Sequence, residues 1–242
     1  MRLPKRIKWS HVRRLYELSS PWLKASPVKL ETPGSGRVLV LAPHIDDDVI
    51  GCGGTLAKHA RSGDPVAVLY FADCTPERRQ EAGLAASIIG VERLEFLDYA
   101  PKGLFDRRKD AAGKLKAEIE SFRPHTVYLP SLFDRHNDHL AVNHILADVL
   151  GGMRGDFTFL VCAYEVWTPL VPNLIVDISE MIEKKKAAVA RFSSQLASND
   201  WLDAVAGLNR YRAVVSGAGL YAEGFMMHSA NDYLDLWKKL FG

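Results

Sequence analysis

Cysteine is scarce in this chain. Cys52, Cys74 and Cys162 form an odd set with no Cys-x-x-Cys spacing. That excludes a disulfide framework or a cysteine-built zinc cage, and leads us to expect reduced thiols in the cytoplasm. Long apolar runs are missing as well. No stretch approaches the roughly 18–20 residues of a membrane span. Charges interrupt Met1 to Lys24 throughout, so no secretory apolar core is expected there. Charge of one sign is also lacking, and a formal net charge of +2 is too small to imply a nucleic-acid partner. No phosphate-cradling loop is evident either. Gly51-Cys52-Gly53-Gly54 fails the Gly-x-Gly-x-x-Gly spacing, lacks the lysine of a phosphate loop and follows three aspartates that would repel phosphate. These glycines read instead as permitting close packing of a helix on a sheet.

What is present is a globular composition. Hydrophobic residues make up 48% and charged residues 25% of 242 positions, enough for one sizeable core. Charge is uneven, however. Residues 1–24 hold seven Lys and Arg against Glu17, so they carry +6 and leave −4 for the remainder. Trp9, Val12, Leu15, Tyr16 and Trp22 interleave with that charge. One reading is a peripheral contact with anionic lipid or a lipid-linked substrate. The blander reading, an arm packed on its own domain or on a neighbouring subunit of a homo-oligomer, takes precedence. We therefore expect a basic N-terminal helical arm over residues 1–30 and a single domain over residues 31–242.

After the Pro- and Gly-punctuated stretch from Pro27 to Gly36, strand and helix patterns alternate. Strands are expected at Arg37 to Ala42, Val66 to Ala72, Leu94 to Leu97 and Thr126 to Pro130. Helices are expected at Val49 to Ser62, Glu77 to Ile89, Asp106 to Phe122 and His139 to Leu150. Short continuous apolar strands with intervening helices imply an α/β fold. Its core is a Rossmann-like, doubly wound, mostly parallel sheet with helices on both faces. Right-handed crossovers give the first four strands the order 3-2-1-4, so the order reverses between the first and the fourth. The second half is less regular: strand patterns at Thr158 to Tyr164 and Leu174 to Ile178, helices at Glu180 to Leu196 and Asp200 to Val215, and an extended piece from Leu220 to His228.

Two segments carry the chemistry. Pro43-His44-Ile45-Asp46-Asp47-Asp48 follows the first strand, and His136-Asn137-Asp138-His139 follows the fourth. Both therefore face the crevice where the strand order reverses. His44, Asp47 and His139 form a set of two imidazoles and one carboxylate, which leaves an open position for water, as catalytic zinc sites do. Asp46 is left over, suited to take a proton from that water. His136 is left over on the other wall; with Asp138 holding its ring it can stabilise an oxyanion or pass a proton to a leaving amine. The competing reading is that the aspartates only cap a helix. His11, His59, His125 and His144 are isolated and read as structural, whereas His228 could line the crevice mouth.

With these motifs in view, the chain resembles the PIG-L/LmbE-like family of zinc-dependent N-acetylglucosamine deacetylases. Pro43 to Asp48 matches the family's [Ala/Pro]-His-Pro-Asp-Asp-Glu signature, departing at Ile45 and Asp48, and His136 to His139 matches its His-x-Asp-His signature. Weaker likenesses include Arg78-x-x-Glu81, Tyr164-Glu165-Val166-Trp167 and Tyr221-Ala222-Glu223. The resemblance implies an LmbE-like three-layer fold and His44, Asp47 and His139 as ligands of one Zn2+, with Fe2+ as the alternative ion. It implies Asp46 as general base, His136 as its acid or electrostatic partner oriented by Asp138, and Arg78 as a substrate-binding residue. A plain Arg78–Glu81 ion pair is the alternative for Arg78. The expected reaction is removal of the acetyl group from an N-acetylated sugar conjugate, a small-molecule substrate. Two alternatives stay open: an inactive sugar- or nucleotide-binding protein, and a zinc amidase acting on another N-acyl compound.

Overall fold

The computed structural model describes residues 27–153 and 157–242; the expected basic arm lies, up to residue 26, outside the described residues. The chain runs through β1 (Val28–Leu30), β2 (Val38–Ala42), α1 (Asp47–Arg61), β3 (Val66–Ala72), α2 (Pro76–Ile89), β4 (Arg93–Tyr99), α3 (Arg108–Phe122), β5 (Thr126–Pro130) and α4 (Asn137–Gly152). The second half adds β6 (Leu160–Tyr164), β7 (Leu174–Asp177), α5 (Ile182–Val189), α6 (Ser193–Leu196), α7 (Trp201–Ser216), β8 (Ala222–Ser229) and α8 (Ala230–Phe241).

The strands form one mixed sheet in the order β1-β7-β8-β6-β5-β2-β3-β4. Among the described strands only β8 runs antiparallel to its neighbours, between β6 and β7. The run β4-β3-β2-β5 is the doubly wound order expected from the crossovers. Every residue of β2, β3 and β5 is buried, because helices cover both faces. Strand alternation divides the core accordingly. Val38 and Val40 pack with Leu56 of α1, Ala85 of α2 and Val189 of α5, whereas Leu39 and Leu41 pack with Leu115 of α3, Ile145 of α4 and Tyr233 of α8.

Helix α1 lies unusually deep. A Cβ on Gly51 would run into the Tyr164 ring, and one on Gly54 would come within 2.8 Å of Ile178, so these glycines do permit close helix–sheet packing. Glu223 of β8 accepts hydrogen bonds from the backbone N–H groups of Gly54 and Thr55 (2.9 and 2.8 Å) and pairs with buried Lys185 at 2.6 Å. A charged clamp thus pins the middle of α1 to the C-terminal half.

Three elements differ from expectation. β1 forms within the expected linker, as an exposed three-residue edge strand held by β7. The helix expected from Glu180 to Leu196 breaks into α5 and α6. Phe192 turns into the core, and Glu81 accepts hydrogen bonds from Ser193 Oγ, Ser194 N and Ser194 Oγ at 2.8, 2.9 and 2.7 Å. α8 had no counterpart in the expected pattern; its apolar stripe closes the α4 face. Among the described residues no helix is long and apolar enough to cross a membrane.

Candidate active site

β2 and β5 are parallel neighbours, so the turns leaving their carboxyl ends project side by side. The first turn is abrupt. Asp46 immediately precedes α1 with φ of 135°, a left-handed conformation rarely held by residues other than glycine. Its side chain makes no cap hydrogen bond to the helix, so capping does not account for it. Asp47 instead folds back, and its Oδ2 accepts the His44 N–H at 2.9 Å.

The second turn delivers three groups at once. His136 sits at the N-cap of α4, with its Nδ1 accepting the backbone N–H of Asp138 at 3.2 Å. One nitrogen from each of His44, His136 and His139 lies within 4.8 Å of the others. Asp47 Oδ2 lies 3.2 Å from His44 Nδ1 and 3.1 Å from His139 Nε2. Ligand atoms bound to one zinc at about 2.0–2.2 Å in a tetrahedral set stand about 3.4 Å apart, so these spacings are those of a metal-binding set. His139 adds a second sign: it is fully buried, with Asp47 and Asp134 facing its two ring nitrogens but without good hydrogen-bond geometry to either. A buried imidazole set between carboxylates in this way, beside two further imidazoles, is an arrangement suited to a cation.

Behind each imidazole stands a carboxylate. Asp138 Oδ2 lies 3.1 Å from His44 Nε2, and Asp134 Oδ2 lies 3.5 Å from His139 Nδ1. Such outer carboxylates fix ring orientation and raise the basicity of metal-ligating histidines. The expected hold of residue 138 on the His136 ring is made by its backbone. The carboxylate of Asp138 reaches His44 and the Lys102 N–H (2.8 Å), and His136 is held by the backbone N–H of Asp138. Residue 138 therefore orients both rings, through different atoms.

The electrostatics follow the geometry. Burial opposes protonation of His44, but hydrogen bonds to Asp138 and Asp47 override it and raise its pKa to about 10. His139 is lifted to about 9 against the same burial, chiefly by the charge of Asp47. Asp47 is held well below the usual carboxylate range despite complete burial, because both imidazoles face it. Asp46 moves the other way: burial, then the charge of Asp47, pushes its carboxyl well above the ordinary value. His136 is lowered by burial and by the charges of His44 and His139. Asp48, one residue on, faces away from this group, with the Tyr70 hydroxyl donating to it at 2.9 Å. That contact is near enough for the shorter side chain to reach.

A cleft of about 210 Å³ opens over these residues. Arg78, in the first turn of α2, lines it and is paired with Asp73, with the Gln195 side-chain amide alongside; no ion pair joins Arg78 to Glu81. Among the lining or supporting residues not anticipated are Asp73, Lys102, Asp134, Trp167, Asn199 and Trp201. The one sequence signal for Asp134 is its place two residues before His136; Trp201 opens α7, and Trp167 and Asn199 lie in connections whose positions the sequence does not give. His228 pairs with Val161 near the start of β6, towards the end of the sheet opposite the cleft. His59 bridges Asp64 (2.8 Å) and Tyr128 (2.9 Å) as a satisfied core histidine.

Residues 39–150 match the PIG-L family, described as GlcNAc-PI de-N-acetylase. The chain is 27% identical over 196 residues to the diacetylchitobiose deacetylase of Thermococcus kodakarensis, spanning 68% of this chain and 72% of that protein. The conserved protein TT1542 of Thermus thermophilus superposes with a TM-score of 0.70 at 29% identity, covering 78% of this chain and 93% of that one. GalB, the 4-carboxy-2-hydroxymuconate hydratase of Pseudomonas putida, superposes with a TM-score of 0.62 at 26% identity, covering 79% and 95%. The same architecture thus carries more than one reaction, and activity has to be argued from the site.

Proposed function

The chain carries a PIG-L family domain, and from that premise we propose that it is a zinc-dependent hydrolase. Its reaction would be removal of the acetyl group from an N-acetylglucosamine-type sugar or conjugate. The observation that carries this reading is a division of labour at one switch point. One nitrogen each of His44, His136 and His139 converges within 4.8 Å, Asp47 Oδ2 lies against His44 and His139, and buried Asp46 stands beside them; of these donors we take His44, Asp47 and His139 as the ligands and leave His136 and Asp46 for proton and charge work.

His44, Asp47 and His139 would hold a divalent ion, which when bound would supply Lewis-acid polarisation of the acetyl carbonyl and a more acidic water. Two histidines and a carboxylate accept zinc or ferrous iron, and zinc is our assignment. Asp46, whose high carboxyl pKa suits a proton carrier, takes a proton from the attacking water as the new C–O bond forms. It returns that proton to the sugar nitrogen as the C–N bond breaks, releasing acetate and a free amine. His136 is kept neutral by burial, and the Asp138 N–H occupies its Nδ1, so its proton sits on Nε2. From there it donates a hydrogen bond to the carbonyl oxygen as negative charge builds. Of the two roles expected of His136, oxyanion stabilisation is the one assigned here, and Asp46 carries the proton to the amine. Arg78, braced by Asp73 and Gln195, presents its remaining N–H groups to substrate hydroxyls.

The experiment is acetate release from a panel of N-acetylated sugars, with and without chelator. Asp46→Asn should lower kcat by about 10²–10⁴ while bound metal stays stoichiometric; near-normal turnover would refute the base assignment. No acetate from any sugar, with zinc or ferrous iron supplied, would refute the reaction itself. Free, buried Cys52, Cys74 and Cys162 support a cytoplasmic setting. Contact of residues 1–24 with anionic lipid is a subsidiary proposal. Deleting them should abolish vesicle binding, and unchanged binding would leave packing on the domain or on a second copy.

A further inference from the structure

Helix α7 is patterned inside out. Two of its buried residues are polar: Asn209 Nδ2 donates to the Ala222 carbonyl at 3.0 Å, and Arg212 Nε donates to Glu165 at 2.8 Å. Its outward positions are apolar instead. Ala204, Gly207, Tyr211, Val214 and Val215 recur at the three- and four-residue spacing of one helix stripe, and all are exposed. Tyr211, Val214 and Val215 leave 58%, 66% and 58% of their surface open, and Leu220, just beyond the helix, leaves 60%. The exposed charges of α7, Asp203 and Arg210, stand to one side of the stripe. A helix whose outer face meets only water carries polar residues there, and a contiguous apolar stripe marks a contact.

The chain itself leads to this face. Lys29 of β1 donates from Nζ to the Gly217 carbonyl at 2.9 Å, at the C-terminal end of α7. Residues 1–26 therefore join the domain beside that end of the helix. Their sequence supplies the complement: Trp9, Val12 and Tyr16 recur at helical spacing, Leu15 widens that side, and Arg14 and Glu17 fall opposite, up to Pro21. A helix over residues 10–20 would be about 16 Å long, and the stripe from Ala204 to Val215 is about 16 Å as well. Residues 21–26 can span about 20 Å on the way to β1, enough to lay one against the other. Charge agrees, since residues 1–24 carry +6 and the remainder −4.

We propose that residues 9–20 dock, through Trp9, Val12 and Tyr16, on the outer face of α7 of their own chain. Tethering favours this occupant over a second copy, because a segment joined by a few residues is held at an effective concentration on the order of millimolar. Arg14 stays outward, so this docking and the lipid contact proposed above use opposite sides of the segment. The docking stands independently of the deacetylase reading.

Amide hydrogen exchange on the full chain, with sedimentation at the same concentration, tests it. Peptides covering residues 9–20 should exchange at least about tenfold more slowly than an unstructured chain. Val214→Glu and, on the other partner, Trp9→Glu should each return that segment to unstructured rates, while β2 and β5 stay protected and the sedimenting mass stays the same. Free exchange of residues 9–20 in the unsubstituted chain overturns the docking, as does protection that appears only with anionic vesicles or that survives Val214→Glu. A mass that halves in Trp9→Glu puts the segment on a second copy and overturns it too. Should Val214→Glu unfold the domain, seen as lost protection in β2 and β5, Trp9→Glu decides alone: faster exchange in α7 together with the segment upholds the docking, and an unchanged α7 overturns it.

Discussion

Asp134 holds more of the site together than its place in a loop suggests. Its Oδ1 accepts the His136 N–H at 3.1 Å, and its Oδ2 accepts the Trp167 N–H at 3.0 Å while lying 3.5 Å from His139 Nδ1. Asp134→Asn should weaken zinc binding by about 10–100-fold, read by competition with a chromophoric chelator; less than threefold would reduce Asp134 to a loop contact. The protonation states make a second prediction. His44 at about 10 and His139 at about 9 carry protons near neutrality in the metal-free protein, and binding a cation expels them. Affinity should therefore rise with pH, with about two protons released per zinc between pH 7 and 8. Calorimetry in buffers of unequal ionisation enthalpy reads that number, and zero release would remove His44 and His139 as donors. At this scale the grouping of His44, Asp46, Asp47, His136 and His139 in one crevice was legible, because imidazoles and carboxylates cluster after two apolar runs. Which atom of Asp138 faces which ring was not, since that depends on a turn's direction. A lone aspartate such as Asp134 reads equally well as a turn former.

Among the elements, the buried strands were the most legible. Continuous Val- and Leu-rich runs permit no other packing when both faces are covered. The break between α5 and α6 was hidden because its cause is distant: Glu81, on α2, outcompetes the helix for Ser193 and Ser194. α1 is likewise secured from afar by Glu223 and Lys185, both essentially fully buried. Glu223→Ala leaves a buried ammonium and two backbone donors uncompensated. It should cost about 3–5 kcal/mol, measured by urea denaturation; a loss below about 1 kcal/mol would show that the clamp does not hold the helix.

For the molecule as a whole, the order of the first four strands followed from handedness alone, and that order places the site. The remaining half could not be ordered from sequence. β8 enters antiparallel between β6 and β7, and β1 joins the far edge, pairings that no local pattern encodes. A site shared by the ends of β2 and β5 also ties ion binding to global stability. Zinc at a hundredfold its Kd should add about 2.7 kcal/mol, or roughly 5–10 °C in melting temperature for a chain of this size. His139→Ala should lose that increment, and an equal rise in the variant would put the ion elsewhere.

The twist at Asp46 carries an evolutionary cost. A residue forced to φ of 135° sacrifices about 1–3 kcal/mol of conformational energy, and glycine would adopt the same shape freely. Asp46→Gly should therefore melt above Asp46→Ala, the difference reporting backbone relief alone, and both should be inert. Directed evolution under heat, blind to turnover, would drift towards a sturdier but chemically silent fold, so screens for robust variants of this chain need an activity filter from the first round.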